Sequence, residues 1–412
     1  MARTETPAEL HVACDEATWN EVTARLHAAA PNEACCLLVT HPSRGRRRTT
    51  VLLSHPIWPD ESEVGATEGS LELSADFITR ALDAAADAGP LAGIALIHTH
   101  PAGAWGPGRG RFSRRDDDYE SRLFQTAVLG KPDALHASIV LGSEGDVDAR
   151  IYAPAARSPA RTPVHAVRVV GRRLRIMETP SSRWREHPDP AVMDRSVRVL
   201  GREGQRLLQN VRVGILGNGG TGSIIEMSLA TMGVGTILSW DKDVAKKHNR
   251  PRLLGLRRAD EGKSKVMALA AAAREAATAA PFLIEPHEAW GTSAEALAEL
   301  RDCDVIFSCV DLFAARVPLA DLAYAHLIPV VDMGSKVYPG RVAVEALLST
   351  AQIWAPGMPC PWCNGTITSE HLTQEAQGDQ RGVERRVAYG VPLEATDGVE
   401  PSVLPLNLTS AG

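Results

Sequence analysis

Val211-Arg212-Val213-Gly214-Ile215-Leu216 runs straight into Gly217-Asn218-Gly219-Gly220-Thr221-Gly222, and a helical pattern follows from Ser223 to Met232. A strand, a glycine-rich turn and a helix in that order let the backbone approach phosphates, and the helix N-terminus favours anions. Asp241 ends the next strand, Thr236 to Trp240. It falls about twenty residues on, where an acid can hold ribose hydroxyls. Those features alone suggest a Rossmann dehydrogenase.

The residues further along do not suit hydride chemistry. Asp241-Lys242-Asp243 leads to Asn249-Arg250-Pro251-Arg252, then to Gly262-Lys263-Ser264-Lys265, then to Asp304 and to Asp311 with Arg316. Acid, Asn/Arg, Lys, acid is a set of cationic clamps for a triphosphate and carboxylates for magnesium, as phosphoryl or adenylyl transfer requires. The layout resembles the ThiF/MoeB/ubiquitin-activating superfamily from about Asp194 to Leu406; Asn249 and Arg252 lie eight and eleven residues after Asp241, as that pattern expects. The resemblance implies ATP- and magnesium-dependent adenylation of the C-terminal carboxylate of a ubiquitin-like protein. It further implies that Gly217, Gly219, Gly220 and Gly222 form the nucleotide loop and that Asp241 binds ribose. Asn249, Arg252 and Lys265 would contact phosphates, and Asp311 would hold magnesium. Arg195 matches the family arginine that reaches into a partner subunit's ATP site, which implies a homodimer; Ser196 stands where the family has Gln.

The N-terminal half carries a second constellation. Gly93 to Ile97 reads as a buried strand that delivers His98-Thr99-His100-Pro101 at its end, and side chains at i and i+2 share a face. Two imidazoles so placed suit zinc; Asp116, in Ser113-Arg114-Arg115-Asp116, offers a third ligand at the start of the next helix. Glu33 stands ready as general base and Ser113 as a donor to an oxyanion. The ordered set Glu33, His98, His100, Ser113, Asp116 resembles the JAB/MPN (JAMM) metalloproteases. That resemblance implies zinc on His98, His100 and Asp116, Glu33 as acid/base and cleavage after the terminal glycine of ubiquitin-like proteins. Two departures stand out. Eleven residues separate Pro101 from Ser113, more than the family usually has, among them Trp105, Arg109 and Arg111; they read as a flexible insertion or as a flap that grips substrate. Cys35 and Cys36 replace small glycines and suit packing.

Cys360-Pro361-Trp362-Cys363 sits where the superfamily often has half of a structural zinc knuckle, with no second C-x-x-C following and His371 as a candidate further ligand. No cysteine lies between Glu370 and Val391, where a thioester-forming residue could sit. Cys303 and Cys309 flank a buried strand and are poor nucleophiles.

A chain of 412 residues holds two domains. Its 44% hydrophobic and 23% charged residues exclude wholesale disorder, and a net charge of −6 gives no footprint for nucleic acid or an anionic membrane. Seven cysteines, two adjacent, do not form a disulfide framework; with no apolar run of membrane length and no signal-peptide profile, this predicts a cytoplasmic protein. The predicted architecture is α/β in two domains: residues 1–153, an α+β JAB/MPN-like domain; 154–190, a Pro/Ser/Arg-rich linker with one hairpin candidate, Val164 to Met177; and 191–412, a Rossmann-like ThiF/MoeB-type domain with a mainly parallel sheet. The predicted function couples the two chemistries, a peptidase exposing a glycine carboxylate and an adenylating domain activating it, with a conjugating enzyme or sulfur-transfer partner downstream. Adenylation of a peptide or sulfur carrier in cofactor or natural-product synthesis is one alternative, and a non-catalytic scaffold is the other.

Overall fold

The computed structural model describes residues 9–102, 108–155, 159–185, 189–339 and 344–376. Trp105 and the segment 377–412, which includes most of the stretch searched for a thioester cysteine, lie outside the described residues. The chain divides into two compact units, Met1–Arg183 and Trp184–Gly412.

The first unit runs β1 (Glu9–Asp15), α1 (Glu16–His27), β2 (Cys35–Arg44), β3 (Arg48–Ile57), β4 (Val64–Thr67), β5 (Ser70–Leu73), α2 (Ala75–Ala88), β6 (Gly93–His100), α3 (Arg114–Gly130), β7 (His136–Gly142), β8 (Val147–Ala153), β9 (Ala160–Pro163), β10 (Ala166–Val170) and β11 (Leu174–Glu178). Nine strands form one mixed sheet in the order β11-β10-β1-β3-β2-β6-β7-β8-β9, and β4 and β5 make a separate hairpin. The two-residue period sorts the core onto both faces. Cys36 and Leu38 of β2 join Ala95 and Ile97 of β6 on the face that α1 covers with Trp19, Val22 and Leu26. Cys35, Leu37 and Val39 join Ile94 and Leu96 on the other face, under Phe77 of α2 and Leu123 and Phe124 of α3. Burial at about 25 cal/mol per Å2 of apolar surface makes both faces strongly favourable, so neither can slip register. Asp15 caps α1 by accepting the Thr18 N–H at 2.9 Å; Ser74 caps α2 by accepting the Phe77 N–H at 3.1 Å.

The region read as a linker proves to be partly sheet. β10 pairs in parallel with β1 and in antiparallel with β11, and all five residues of β10 are buried. The hairpin candidate Val164 to Met177 forms, as β10 and β11, and its first strand, Ala166-Val167-Arg168-Val169-Val170, fills a place beside β1 and so belongs to the sheet. The unit therefore does not close at Ala153.

The second unit runs α4 (Pro190–Asn210), β12 (Arg212–Leu216), α5 (Gly220–Met232), β13 (Thr236–Trp240), α6 (Lys265–Ala276), β14 (Leu283–His287), α7 (Ala294–Leu300), β15 (Val305–Ser308), α8 (Phe313–Tyr324), β16 (Val330–Pro339), β17 (Val344–Trp354) and α9 (Ser369–Ala376). The sheet order is β14-β13-β12-β15-β16-β17, parallel throughout except for the last pair. Strand order reverses on either side of β12, so the crevice beyond its C-terminal end is the place where such sheets bind ligands. Among the described residues no helix is long and apolar enough to cross a membrane.

Candidate functional site

In the first unit the parity of β6 builds the site. His98 and His100 continue the face of Ile94 and Leu96, so both point to the side on which α3 packs. Antiparallel pairing sets Cys35 opposite His98, and Ala34 exchanges hydrogen bonds with Thr99, which carries Glu33 to the level of His100. Asp116 arrives on the first turn of α3. Its Oδ1 lies 3.4 Å from His98 Nε2 and its Oδ2 3.4 Å from His100 Nε2. The helix start is a capping box: Ser113 Oγ accepts the Asp116 N–H at 3.2 Å, and Asp116 Oδ2 accepts the Ser113 N–H. Because Ser113 spends lone pairs and not its proton, its hydroxyl keeps a hydrogen to donate.

Electrostatics at these groups reflect crowding. Burial pushes the Glu33 carboxyl up, partly offset by His100 and His98. Burial opposes charge on Asp116, but the two imidazoles outweigh it and hold its carboxyl well below the usual range. Burial likewise opposes protonation of His100, and the Asp116 carboxylate reverses that and raises its pKa. Ligand atoms of His98, His100 and Asp116 all lie within 4.8 Å of one another, and this is the one such grouping of three among the described residues. Both ring nitrogens of His98 are buried without a hydrogen-bond partner. An orphaned imidazole beside a second imidazole and a carboxylate fits zinc, which takes three such ligands and keeps a fourth position open.

The insertion before Ser113 is not loose where it is described. Gly108 takes φ +62°, its carbonyl accepts the Ser143 N–H at 2.7 Å, and the Gly110 N–H donates to Asp146 Oδ2 at 2.8 Å. Phe112 packs under the Arg150 guanidinium, 3.7 Å from the ring centroid. Arg150 in turn donates to Asp117 and Glu120 of α3, and Glu120 also accepts from Ser138 and Tyr152. The sequence reading missed this buried network, which anchors the helix bearing Asp116; an Arg inside the run Ala149-Arg150-Ile151-Tyr152 of β8 was the available signal.

In the second unit the glycine turn closes as the sequence requires. Gly217 sits at φ +87°, and a Cβ there would come 2.8 Å from the Cys309 carbonyl; a Cβ on Gly222 would lie 1.9 Å from the Gly217 carbonyl. Gly219 faces open space, and Gly220 begins α5. Asp241 Oδ2 accepts the Asn218 N–H at 2.9 Å, so the acid and the turn are fixed to each other. Burial pushes the Asp241 carboxyl up, with Lys265 drawing it back. Lys265 Nζ donates to Asp243 Oδ2 at 2.8 Å, a contact the sequence reading did not assign. Arg252 is half-buried, which lowers its pKa against the pull of Asp311, Asp241 and Asp243 around it. Asn249 is buried and its Oδ1 accepts the Lys246 N–H, so its side chain fixes the turn that presents Arg252. Asp311 is exposed at the end of a loop held by Arg316. That guanidinium donates to Asp332 Oδ1 at 2.9 Å and to the Val310 carbonyl at 2.8 Å. A backbone cradle, a ribose-distance acid, two cations and a free carboxylate fit a magnesium nucleotide.

Two expected participants stand apart. Arg195, on α4, is 94% exposed with Asp194 at 3.8 Å. Cys360 and Cys363 bring their sulfurs to 3.0 Å, but His371 stacks on Phe313 at 4.1 Å between centroids, and no third metal-capable group joins the thiols among the described residues. Among the described residues no complete zinc knuckle is assembled there.

Comparison with known proteins gives both halves a relationship. Residues 15–153 match the sequence family described as prokaryotic homologs of the JAB domain, and residues 193–379 match the ThiF family. The adenylyltransferase and sulfurtransferase uba4 of Aspergillus terreus is 34% identical over 145 residues, 35% of this chain and 30% of that protein. The probable adenylyltransferase/sulfurtransferase MoeZ of Mycobacterium tuberculosis is 36% identical over 147 residues, 35% of this chain and 36% of that protein. The chain thus spans about a third of the length of these curated relatives. A solved structure of E. coli MccB with ATP is 18% identical and covers 54% of this chain and 60% of that one, at a TM-score of 0.37.

Proposed function

Because the chain joins a JAB-like region to a ThiF-family region, we propose that it is a bifunctional enzyme that frees and then activates the C-terminal glycine of a ubiquitin-like protein. The observation that carries the activating half is the convergence of the glycine turn, Asp241, Arg252, Lys265 and Asp311 at one end of the parallel strands. The substrate carboxylate attacks the α-phosphorus of ATP, the bond to the pyrophosphate oxygen breaks, and acyl-adenylate and pyrophosphate leave. The turn's amides and α5 hold phosphate oxygens, and Asp241 holds the ribose. Lys265 exchanges Asp243 for phosphate, Arg252 faces the charge that develops on the leaving group, and Asp311 would hold magnesium. Arg195, exposed on α4, is free to complete the site of a second copy in a homodimer.

In the JAB-like half, His98, His100 and Asp116 would hold zinc. When bound, zinc acts as a Lewis acid that acidifies water and polarises a carbonyl. Glu33, whose carboxyl burial makes a better base, takes a proton from the attacking water and returns it to the leaving amine. Ser113 donates its free hydrogen to the developing oxyanion.

ATP–pyrophosphate exchange with ubiquitin-like proteins ending in Gly, wild type against Asp311→Ala, tests the activating half; exchange that ignores either the protein substrate or Asp311 ends it. Incubation with the same proteins extended beyond the glycine, wild type against Glu33→Ala, tests the peptidase half by product mass. The names of the curated relatives favour a second fate for the adenylate, sulfur transfer to the activated carboxylate. Thiocarboxylate on the product would establish it.

A further inference from the structure

Beneath the glycine turn three polar side chains meet in full burial: Asn218 of the turn, Glu226 of α5 and Ser239 of β13. Asn218 Nδ2 lies 2.7 Å from Glu226 Oε2, Ser239 Oγ lies 2.6 Å from the same oxygen, and Ser239 Oγ lies 2.8 Å from Asn218 Oδ1. Each of these contacts needs one hydrogen. The Asn218 amide supplies one on its nitrogen side, the Ser239 hydroxyl carries one, and an ionised carboxylate carries none. Turning the amide over exchanges its two ends and leaves the count unchanged. The third hydrogen therefore belongs to Glu226.

We propose that Glu226 is a positioning residue that works as a neutral carboxylic acid, its proton closing a hydrogen-bonded ring that holds Asn218 and, through it, the nucleotide turn and Asp241. The route is short, since the Asn218 N–H is the donor to Asp241 Oδ2. The surroundings agree with a neutral acid. Burial pushes the Glu226 carboxyl up to about 7; Ser239, Asn218 and Arg274 of α6 draw it back, and Asp241, just after β13, pushes it further up. Its Oε1 is buried with no hydrogen-bond partner, a position that a charged oxygen tolerates poorly. Once the proton leaves, the ring lacks a hydrogen, a negative charge appears beside Asp241, and Ser239, drawn to donate to the Glu226 carboxylate, no longer supplies the hydrogen that ties Asn218 of the turn to β13. The proton count stands on geometry alone; the consequence for ligand binding rests on the nucleotide reading above.

The test measures ATP affinity of the full chain at about pH 6 and about pH 8.5, comparing wild type with Glu226→Gln, whose carboxamide brings its own hydrogens and does not titrate. The titration of ATP itself is common to both proteins and cancels in the ratio. Between the two pH values the wild-type dissociation constant should rise about three- to tenfold relative to the Gln variant, the worth of about one hydrogen bond. Parallel pH dependences overturn the proposal. Infrared spectra of the free protein supply the second readout. A protonated-carboxyl stretch present in wild type at the lower pH, lost at the higher and missing in Glu226→Gln supports the ring, and its absence at the lower pH overturns it. If that band behaves as expected while wild type binds no ATP at either pH, the nucleotide reading fails and the positioning role falls with it.

Discussion

Replacing Arg316 with Met should separate what this residue does for stability from what it does for chemistry. Arg316 and Asp332 are both buried; the guanidinium supplies a 2.9 Å hydrogen bond to the carboxylate and reaches the Val310 carbonyl at 2.8 Å. Burial already pushes the Asp332 carboxyl up, and Arg316 is the first influence opposing it. Removing the cation leaves a buried carboxylate with only Ser308 as donor, at 2.7 Å, and breaking one side of such a pair costs about 3–5 kcal/mol. With an m-value of about 3 kcal/mol per M in urea, the unfolding midpoint of the second unit should fall by about 1–1.7 M. Trp240 and Trp354, both fully buried in that unit's core, report the transition by fluorescence. Adding Asp332→Leu removes the stranded charge and should recover most of the loss. The exchange reaction should stay slow in the double variant, because the loop bearing Asp311 has lost the donor to the Val310 carbonyl. A single variant as stable as wild type, or a double variant with full exchange activity, would refute the reasoning.

Three further outcomes are expected. Wild-type protein dialysed against zinc should retain about one ion per chain by elemental analysis, and His98→Ala, His100→Ala or Asp116→Ala should each lose it; retention in Asp116→Ala would point to a different ligand set. Gly222→Ala should abolish ATP binding by equilibrium dialysis, since the added Cβ would sit 1.9 Å from the Gly217 carbonyl and the backbone must move. Glu226 should also make stability depend on pH. Its carboxyl rises from 4.5 unfolded to about 7 folded, so the folded chain holds the proton through a window in which the unfolded chain has lost it. Relative to Glu226→Gln, wild type should therefore lose about 3 kcal/mol as pH rises across that window and nothing more above it; urea midpoints at several pH values check the sign.

Both sites were legible in the sequence wherever local chemistry and local spacing coincide. The run Gly217 to Gly222 must turn tightly after a strand, and His98 and His100 must share a strand face, so either reading follows from covalent geometry. What could not be read depends on partners far along the chain. Arg150 meets Glu120 across thirty residues, and Ser239 meets Asn218 across twenty-one; neither pair has a periodicity. The hairpin of β10 and β11 could be read locally, but its flanking prolines and arginines placed it in a linker, because what makes it part of the sheet is the pairing of β10 with β1, more than 150 residues earlier. The stacking of His371 on Phe313, fifty-eight residues away, likewise has no signal in the sequence.

The spacing from Ser113 to Asp116 does two jobs with a single carboxylate. It starts α3, and it offers the third donor to the imidazole pair. A carboxylate has about four lone-pair positions, so Oδ2 can keep the Ser113 amide while facing a cation, and the two uses reinforce each other. By linkage, whatever fixes Asp116 in the site also tightens the first turn of α3, and a well-formed first turn raises affinity for the cation by the same factor. Lengthening this side chain by one methylene to Glu would keep the charge and disturb both uses together. An engineer therefore cannot tune the helix start and the cation site separately, and slower amide exchange at residues 114–117 on adding zinc would report occupancy without a substrate.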